Sequence, residues 1–300
     1  MDRPHATDRP NGPEPLFDVL TDDGLDGFAE LRNDAPVVPF GLHFGDETFG
    51  STDLTLKELF ERLLSGGPHP TTSQPSPAAY AEAYRAATRP LLVVTVSSAL
   101  SGSFNAADQG RAQAPDTDVT LHDSGTISAA QAFQVHAAMT ARALGHGIDT
   151  ALDWMRRVHE ATDFFFTLDS LTYLRRGGRI GRVQATLGSM LDLKPIVMVD
   201  KSTGAYVTAD RARTWRKAIA AMAKQVADRF GPDEPVRVGL VRGEEPDEAQ
   251  AVLARIEEQR RVAWSAIAPV GAALAIHVGP KAVALALAPA AWPWEEDAAD

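Results

Sequence analysis

The chain has 300 residues, which is long enough for two globular lobes, and 44% of them are hydrophobic. The formal net charge of -11, from 40 acidic and 29 basic residues, argues against nucleic acid or an anionic membrane surface as a partner. The sequence contains no cysteine, which excludes disulfides, thiolate metal sites and cysteine nucleophiles and fits a cytoplasmic location.

Both ends of the sequence are expected to be tails. Residues 1–15 are rich in Pro, Asp and Arg and lack the apolar region of a signal peptide, so we expect a disordered tail there. Residues 290–300 are acidic and interrupted by proline, which indicates a frayed end. No apolar run reaches the roughly 18 residues that a spanning helix needs, so stable membrane insertion is not expected.

Strands alternate with helices through the first half of the chain. Strands are predicted at 17–21 and 35–44, with a helix from Asp26 to Asn33 between them. The next predicted elements are helices at 55–64 and 75–87, a strand at 91–96, a helix at 102–114, a strand at 119–122, and helices at 128–144 and 150–160. This alternation is typical of parallel βαβ units and predicts an N-terminal α/β lobe over residues 16–160.

The pattern changes at about residue 161. The predicted elements are an aromatic strand at 163–167, an apolar segment at 187–193, a strand at 196–199, a hairpin turn at 201–204, a returning strand at 205–209, a helix at 214–230, a strand at 236–241, a helix at 246–261, and strands near Ala263 and Ala282. The hairpin requires antiparallel pairing, so we predict a C-terminal α/β lobe with a mixed sheet over residues 161–289.

Two loops rich in hydroxyl side chains precede predicted helices. The segment SSALSGSF (97–104) follows an apolar strand. The N–H groups at the start of the following helix would form a binding site for a small anion at the carboxyl edge of the sheet. The structural alternative is that Ser101 only caps the helix and Gly102 only makes the turn. PTTSQPSP (70–77) repeats the pattern, and two such helix starts on neighbouring units would converge on one point.

Charged residues occur close to these loops. We interpret Asp22, at the end of the first strand, as a brace for the neighbouring loops, because a carboxylate facing the ligand would repel an anion. LTYLRRGGRIGR (171–182) contains four arginines and predicts phosphate capture or docking of an acidic partner, unless it is a solvated helix end. His277 is expected at a strand end, where its partner decides its role. The histidine spacing predicts no metal site.

Six motifs together resemble the DegV family, in order and in approximate spacing, over residues 17–288. They are TSQPS (72–76), SSALSGSFNAA (97–107), HDSGTIS (122–128), LTYLRRGGRI (171–180), GSMLDLKPI (188–196) and HVGP (277–280). DegV proteins are fatty-acid-binding subunits that work with a bacterial fatty acid kinase. The resemblance implies a two-lobed α/β fold with a long-chain fatty acid in a tunnel between the lobes, and no cofactor beyond that ligand.

The resemblance also implies roles for single residues. Thr72 and Ser101 are expected to hydrogen-bond the carboxylate, and His277 is expected to complete the network. The neighbouring residues expected at the head group are Ser73, Ser98 and Gly102, and the residues expected to meet the kinase are Arg179 and Arg176. Asp23 departs from the family, whose first strand usually ends with Ser at this position, and this departure bears on whether the loop touches the head group.

Two other functions are compatible with the same residues. One is a serine esterase or acyl-transfer enzyme with Ser101 as nucleophile, His277 as base and Asp123 or Asp22 as orienting acid. The sequence argues against it, because Ser101 does not lie in a GxSxG elbow. The other is a lipid carrier or sensor that has no kinase partner. The resemblance implies a non-catalytic protein whose partner binds ATP, and the lack of a P-loop in this chain is consistent with that expectation.

Overall fold

The computed structural model describes residues 14–181, 183 and 193–298. The strands are β1 (Asp18–Asp22), β2 (Val37–Val38), β3 (Gly41–Phe44), β4 (Glu47–Gly50), β5 (Thr71–Ser73), β6 (Leu91–Thr95), β7 (Val119–Asp123), β8 (Asp163–Leu168), β9 (Lys194–Val199), β10 (Tyr206–Ala212), β11 (Val236–Arg242), β12 (Val262–Pro269) and β13 (Ala282–Pro289). The helices are α1 (Leu56–Leu64), α2 (Pro77–Arg85), α3 (Ser103–Gln113), α4 (Ser128–Ala143), α5 (Ile148–Ala161), α6 (Thr172–Arg176), α7 (Trp215–Ala227), α8 (Asp247–Glu257), α9 (Ala272–Val278) and α10 (Pro293–Asp297).

The strands form three sheets. The N-terminal lobe has a parallel sheet in the order β2-β1-β6-β7. The C-terminal lobe has a mixed sheet in the order β10-β9-β8-β13-β11-β12, in which β11 and β12 are parallel and the other neighbours are antiparallel. A small antiparallel sheet, β4-β3-β5, was not predicted from the sequence. The predicted two-lobed α/β fold is confirmed.

Helix α4 lies between the two large sheets. It packs against β1 of the parallel sheet and against β8, β11 and β13 of the mixed sheet, and most of its residues are buried. Its alanines permit this close approach on several sides, because a short side chain keeps the helix backbone near both sheets. The outer faces of the sheets are covered by α2 and α3 in the N-terminal lobe and by α7 and α8 in the C-terminal lobe.

Local sequence signals explain several element boundaries. Thr55 and Glu58 form a capping box at the start of α1. Ser76 caps α2, whose first residue is Pro77, so the missing proline N–H costs no helix hydrogen bond. Gly204 turns the hairpin between β9 and β10 at a φ of 66°, in the left-handed region that glycine adopts at little cost.

Three segments differ from the sequence-based prediction. Residues 26–33 contain no helix, and the predicted strand at 35–44 is split into β2 and β3, which belong to different sheets. His277 lies on helix α9 rather than at a strand end. Residues 1–13 of the tail expected over 1–15, and most of the apolar segment at 187–193, lie outside the described residues.

The acidic C-terminal end is docked over residues 292–297, whereas the sequence indicated a frayed end. Trp292 is 5% exposed and stacks on Trp294, and Arg157 of α5 pairs with Glu296 and Asp297. The sequence showed the acidic residues and the prolines but not the basic and aromatic surface that receives them.

Candidate functional site

A cavity of about 980 Å³, including the part open to solvent, lies between the two lobes. Its body is apolar and receives side chains from both of them. Representative lining residues are Val96, Leu100 and Ile127 from the N-terminal lobe and Phe164, Phe166 and Ala284 from the C-terminal lobe. A ligand that fills this space therefore presents mainly hydrocarbon to the protein.

Thr72 and His277 form a hydrogen bond in the wall of this cavity. Strand β5 carries Thr72 and helix α9 carries His277, and the distance from Thr72 Oγ1 to His277 Nε2 is 2.8 Å. The two residues are 205 positions apart in the chain. The structure thus brings together two of the residues that the resemblance implied for the site, and the contact joins the lobes.

Burial keeps the His277 imidazole neutral. Desolvation, together with the positive charge of Arg179 and the proximity of His69, lowers the pKa of His277 to about 3. Its Nδ1 atom is buried without a hydrogen-bond partner. These facts favour the tautomer with the proton on Nε2, since the alternative would bury an N–H group that has no acceptor. In that tautomer His277 donates to Thr72, whose own hydroxyl proton stays available for a ligand.

The serine loops also reach the cavity. Ser101 lines it, and its Oγ lies 3.1 Å from Ser103 Oγ. Ser73 lines it as well and hydrogen-bonds His43 Nε2 at 3.0 Å. Gly102 is the N-cap residue of α3 and provides no side-chain cap. The amide of Gln74, a lining residue that sequence reasoning did not single out, packs against Gly102.

Other predicted residues lie outside the cavity lining. The backbone N–H of Ser98 donates to the Asp123 carboxylate, and neither residue lines the cavity. Asp22 is fully buried and accepts hydrogen bonds from the backbone of Val96 and Gly24, in agreement with its interpretation as a brace. Asp23 also lies away from the lining, and its burial raises its pKa to about 6.

The two arginines expected to meet a partner have different surroundings. Arg179 lines the cavity, where its guanidinium donates to the carbonyl of Gly177 at 2.8 Å and lies 3.5 Å from the carbonyl of Thr72. This placement puts a permanent positive charge next to the Thr72–His277 pair. Arg176, at the end of α6, is exposed.

A second polar pair in the cavity wall was missed by sequence reasoning. Asp26 and Ser128 both line the cavity, and the Ser128 hydroxyl donates to Asp26 Oδ2. The backbone N–H of Gly271, just before α9, donates to Asp26 Oδ1 at 2.5 Å. The sequence interpretation placed Asp26 in a helix and gave Ser128 no role, although Asp26 lies in a glycine-containing loop directly after a buried strand.

The geometry does not assemble the hypothetical esterase triad. Within the described residues, Ser101 Oγ is hydrogen-bonded to Ser103 and His277 Nε2 is hydrogen-bonded to Thr72. Asp22 and Asp123 accept hydrogen bonds from backbone N–H groups. The same part of the chain contains no group of three acidic or histidine residues arranged to hold a metal ion. It also contains no helix with both the length and the apolar composition needed to cross a membrane.

Comparison with known proteins gives the family. The model of the family described as "Uncharacterised protein, DegV family" matches residues 18–290, which is most of the chain. The chain belongs to the DegV family. A DegV domain-containing protein of Deinococcus radiodurans is 48% identical over 283 residues, which are 94% of this chain and 98% of that relative.

Solved DegV structures share the fold described above. A DegV family protein of Thermus thermophilus, whose structure is described as showing fatty acid binding, superimposes with a TM-score of 0.81 and 26% identity over 91% of this chain and 99% of that one. The fatty acid kinase (Fak) B3 protein of Streptococcus pneumoniae, loaded with linoleic acid, has a TM-score of 0.77 and 19% identity over 91% and 99% of the two chains. At that identity the second likeness shows the fold alone.

Proposed function

We propose that this chain binds one long-chain fatty acid, with the acyl tail in the cavity between the lobes and the carboxylate at Thr72, Ser101 and His277. The observation that carries the proposal is the cavity itself, whose body is apolar and whose wall holds a cluster of hydroxyl, imidazole and guanidinium groups. The fatty-acid-binding relative from Thermus thermophilus supports it through its fold and sequence.

The acyl tail supplies most of the affinity. Burial of one CH₂ group contributes about 0.8 kcal/mol, so a sixteen-carbon acid with fourteen such groups gains roughly 11 kcal/mol before association and ordering costs. The charged head group adds roughly 1.5–3 kcal/mol for each good hydrogen bond, and its main effect is to fix which end of the ligand meets the polar cluster.

Each polar residue has a defined task in this arrangement. Thr72 donates its hydroxyl proton to the carboxylate because His277 donates to Thr72, and Ser101 supplies a second hydroxyl. Arg179 supplies positive charge beside them, which favours the ionised form of the ligand. Ser73 and Gly102 shape the surrounding loops, while Ser98 anchors its loop through Asp123.

We further propose that the protein performs no chemistry of its own and presents the carboxylate to an ATP-dependent fatty acid kinase subunit in the cytoplasm, which forms the acyl phosphate. The exposed Arg176 and the neighbouring Arg179 are the residues assigned to that partner. A basic rim on a chain with a net charge of -11 would orient an acidic partner surface over the cavity.

Lipid binding is tested on protein purified from a bacterial host. Native mass spectrometry is expected to show one co-purified fatty acid per chain, and the ligand-free protein is expected to bind oleate or palmitate at submicromolar concentration. Failure to bind any fatty acid, or hydrolysis of p-nitrophenyl esters that depends on Ser101, would refute the proposal.

The kinase role needs a separate measurement. Wild-type protein loaded with labelled oleate is mixed with a bacterial fatty acid kinase catalytic subunit and ATP, and acyl phosphate is followed. Arg176→Ala is expected to reduce the rate of phosphorylation while oleate stays bound. Arg156→Ala, which removes an arginine that is 56% exposed on α5, is the matched control and should change neither quantity. Absence of acyl phosphate with the chain's own kinase would leave the lipid-carrier function.

A further inference from the structure

The wall of the cavity contains a buried carboxylic acid that the fatty acid head group does not use. Asp26 is 3% exposed and Ser128 is 4% exposed, yet both contribute to the lining. The Ser128 hydroxyl and the Gly271 backbone N–H donate to the two oxygens of Asp26. A carboxylate offers about four acceptor positions, so two remain for another donor.

Keeping this pair next to an apolar cavity is unfavourable for the folded protein by itself. Burial raises the pKa of Asp26 to about 7, since few charges or donors compensate its desolvation and Asp23 repels it. Ser128 has a φ of 61°, a region that non-glycine residues rarely adopt. A strained backbone and a buried carboxyl with a high desolvation cost in one cavity wall are typical of a ligand contact rather than of simple packing.

We infer that Asp26 and Ser128 form a second polar contact point that accepts a hydroxyl group on the acyl chain, so that the chain favours hydroxylated fatty acids. This inference rests on the proposed fatty acid function. A hydroxyl is the matching group because its O–H can donate to a lone pair of the Asp26 carboxylate. A ketone has no proton to donate, so it gains nothing from Asp26 at a pH where Asp26 is ionised.

The length of α9 gives an estimate of where along the acyl chain this hydroxyl belongs. Gly271 precedes α9 and His277 lies near its other end, and six residues of helix span about 9 Å. An extended polypeptide advances roughly 1.2 Å per backbone bond, and an extended acyl chain of single bonds advances by a similar amount, so the second contact is expected about seven to ten bonds from the carboxyl carbon. The preferred ligand therefore carries its hydroxyl near the middle of an eighteen-carbon chain.

The test measures dissociation constants of the ligand-free wild-type protein for five eighteen-carbon acids at pH 8.5, where Asp26 is ionised. They are octadecanoic acid, its 2-, 10- and 18-hydroxy derivatives, and the 10-oxo derivative. The 10-hydroxy acid is expected to bind about tenfold more tightly than octadecanoic acid, and the other derivatives no more tightly than octadecanoic acid. Tight binding of octadecanoic acid without a gain for the 10-hydroxy acid would overturn this inference and leave the proposed function intact. Failure of every acid to bind would refute the proposed function itself.

Variants then locate the contact. The ratio of the two affinities, for 10-hydroxyoctadecanoic and octadecanoic acid, is expected to fall to one or below in Ser128→Ala and in Asp26→Asn. Ser124→Ala removes another buried serine four residues earlier, outside the cavity lining, and should leave the ratio at its wild-type value. An unchanged ratio in folded Ser128→Ala and Asp26→Asn would contradict the assignment, and the wild-type comparison tests the inference even if a variant does not fold.

Discussion

Two side chains from distant parts of the sequence, Thr72 and His277, share one hydrogen bond in the wall of the cavity. The bond has a direction, because a neutral His277 with its proton on Nε2 donates to Thr72 and leaves the threonine proton for the ligand. If His277 were protonated, the charged imidazolium would compete with Thr72 for the ligand carboxylate. Burial therefore sets the protonation state on which the orientation of the head group depends.

Thr72→Val tests the hydroxyl directly. Valine keeps the shape of threonine but offers no donor, so fatty acid affinity is expected to fall by about tenfold to a hundredfold, the value of one hydrogen bond to a charged group. Isothermal titration with oleate measures the change. Thr71→Val, at the exposed neighbouring position of β5, is the control and should bind as wild type does. Equal losses in both variants would show that only the strand was disturbed.

The buried state of His277 predicts how stability depends on pH. Its folded pKa of about 3 lies below the value of about 6.5 for a free histidine, so between these values the unfolded chain binds more protons. The stabilisation is fully present above pH 6.5 and is lost as the pH falls towards 3. Arg179 and His69 face His277 and act in the same direction.

Urea unfolding of the ligand-free protein at pH 7.5 and pH 5.0 measures this effect. His277→Gln is expected to lose less stability than wild type over this interval, by about 2 kcal/mol. Other groups that titrate in this interval, such as Asp26, are present in both proteins and cancel in the comparison. Identical slopes for the two proteins would mean that His277 is not neutral in the folded state.

Sequence reasoning reached part of the candidate site and missed another part. Thr72, Ser101 and His277 were found because motifs around them resemble those of a family, and they line one cavity. Asp26 was missed because it was placed in a predicted helix, and Ser128 was assigned no role although it ends the HDSGTIS motif. Asp26 and Ser128 come together only because the loop after β1 packs against the starts of α4 and α9, and no local sequence pattern predicts that contact.

At the scale of elements, packing between α6 and α9 holds the imidazole in place. The two helices lie so close that a Cβ atom on Gly177 would overlap His277 Nδ1. Gly177 has a φ of -76°, so glycine is required here by the close approach and not by backbone conformation. Gly178, the next residue, has a φ of 75° with nothing within 4 Å of a Cβ atom, so the requirement there is conformational.

The adjacent glycines make a matched pair of variants. Gly177→Ala is expected to displace His277 and weaken oleate binding at least severalfold, because α6 and α9 have to separate or the imidazole has to turn. Gly178→Ala is expected to lower the free energy of unfolding by about 1 kcal/mol without changing oleate affinity. Titration and urea unfolding of both variants check the two effects. Retained binding in Gly177→Ala would show that the position of His277 is unimportant for the ligand.

Element prediction succeeded where hydrophobic periodicity was strong and failed where tertiary contacts decide. The alternating strands and helices from β6 to α5 were predicted from apolar strands and from helical segments that are amphipathic or rich in alanine. The helix predicted over 26–33 does not form, because Asp26 is held by Ser128 and Gly271 and Phe28 packs against Trp264. Helix α9 is short and apolar on several sides, a pattern that periodicity does not distinguish from a buried strand.

At the scale of the whole molecule, the C-terminal end connects the two lobes. Trp292 follows the last strand of the mixed sheet and packs edge-on against Phe133 and His136 of α4. On its other side, the guanidinium of Arg237 from β11 lies 4.1 Å from the centre of the Trp292 ring and pairs with Glu295. This segment thus fixes the relative position of the lobes that enclose the cavity.

Trp292→Ala is therefore expected to destabilise the protein and to disturb the cavity from a distance. Truncation of a buried tryptophan costs about 3–5 kcal/mol, and here it also exposes the contact between the lobes. Urea unfolding measures the loss, and oleate titration at low urea should show weaker binding although Trp292 does not line the cavity. Leu144→Ala, at a residue that is 54% exposed, is the control and should change neither quantity. Loss of stability with unchanged oleate affinity would show that the cavity keeps its shape without this connection.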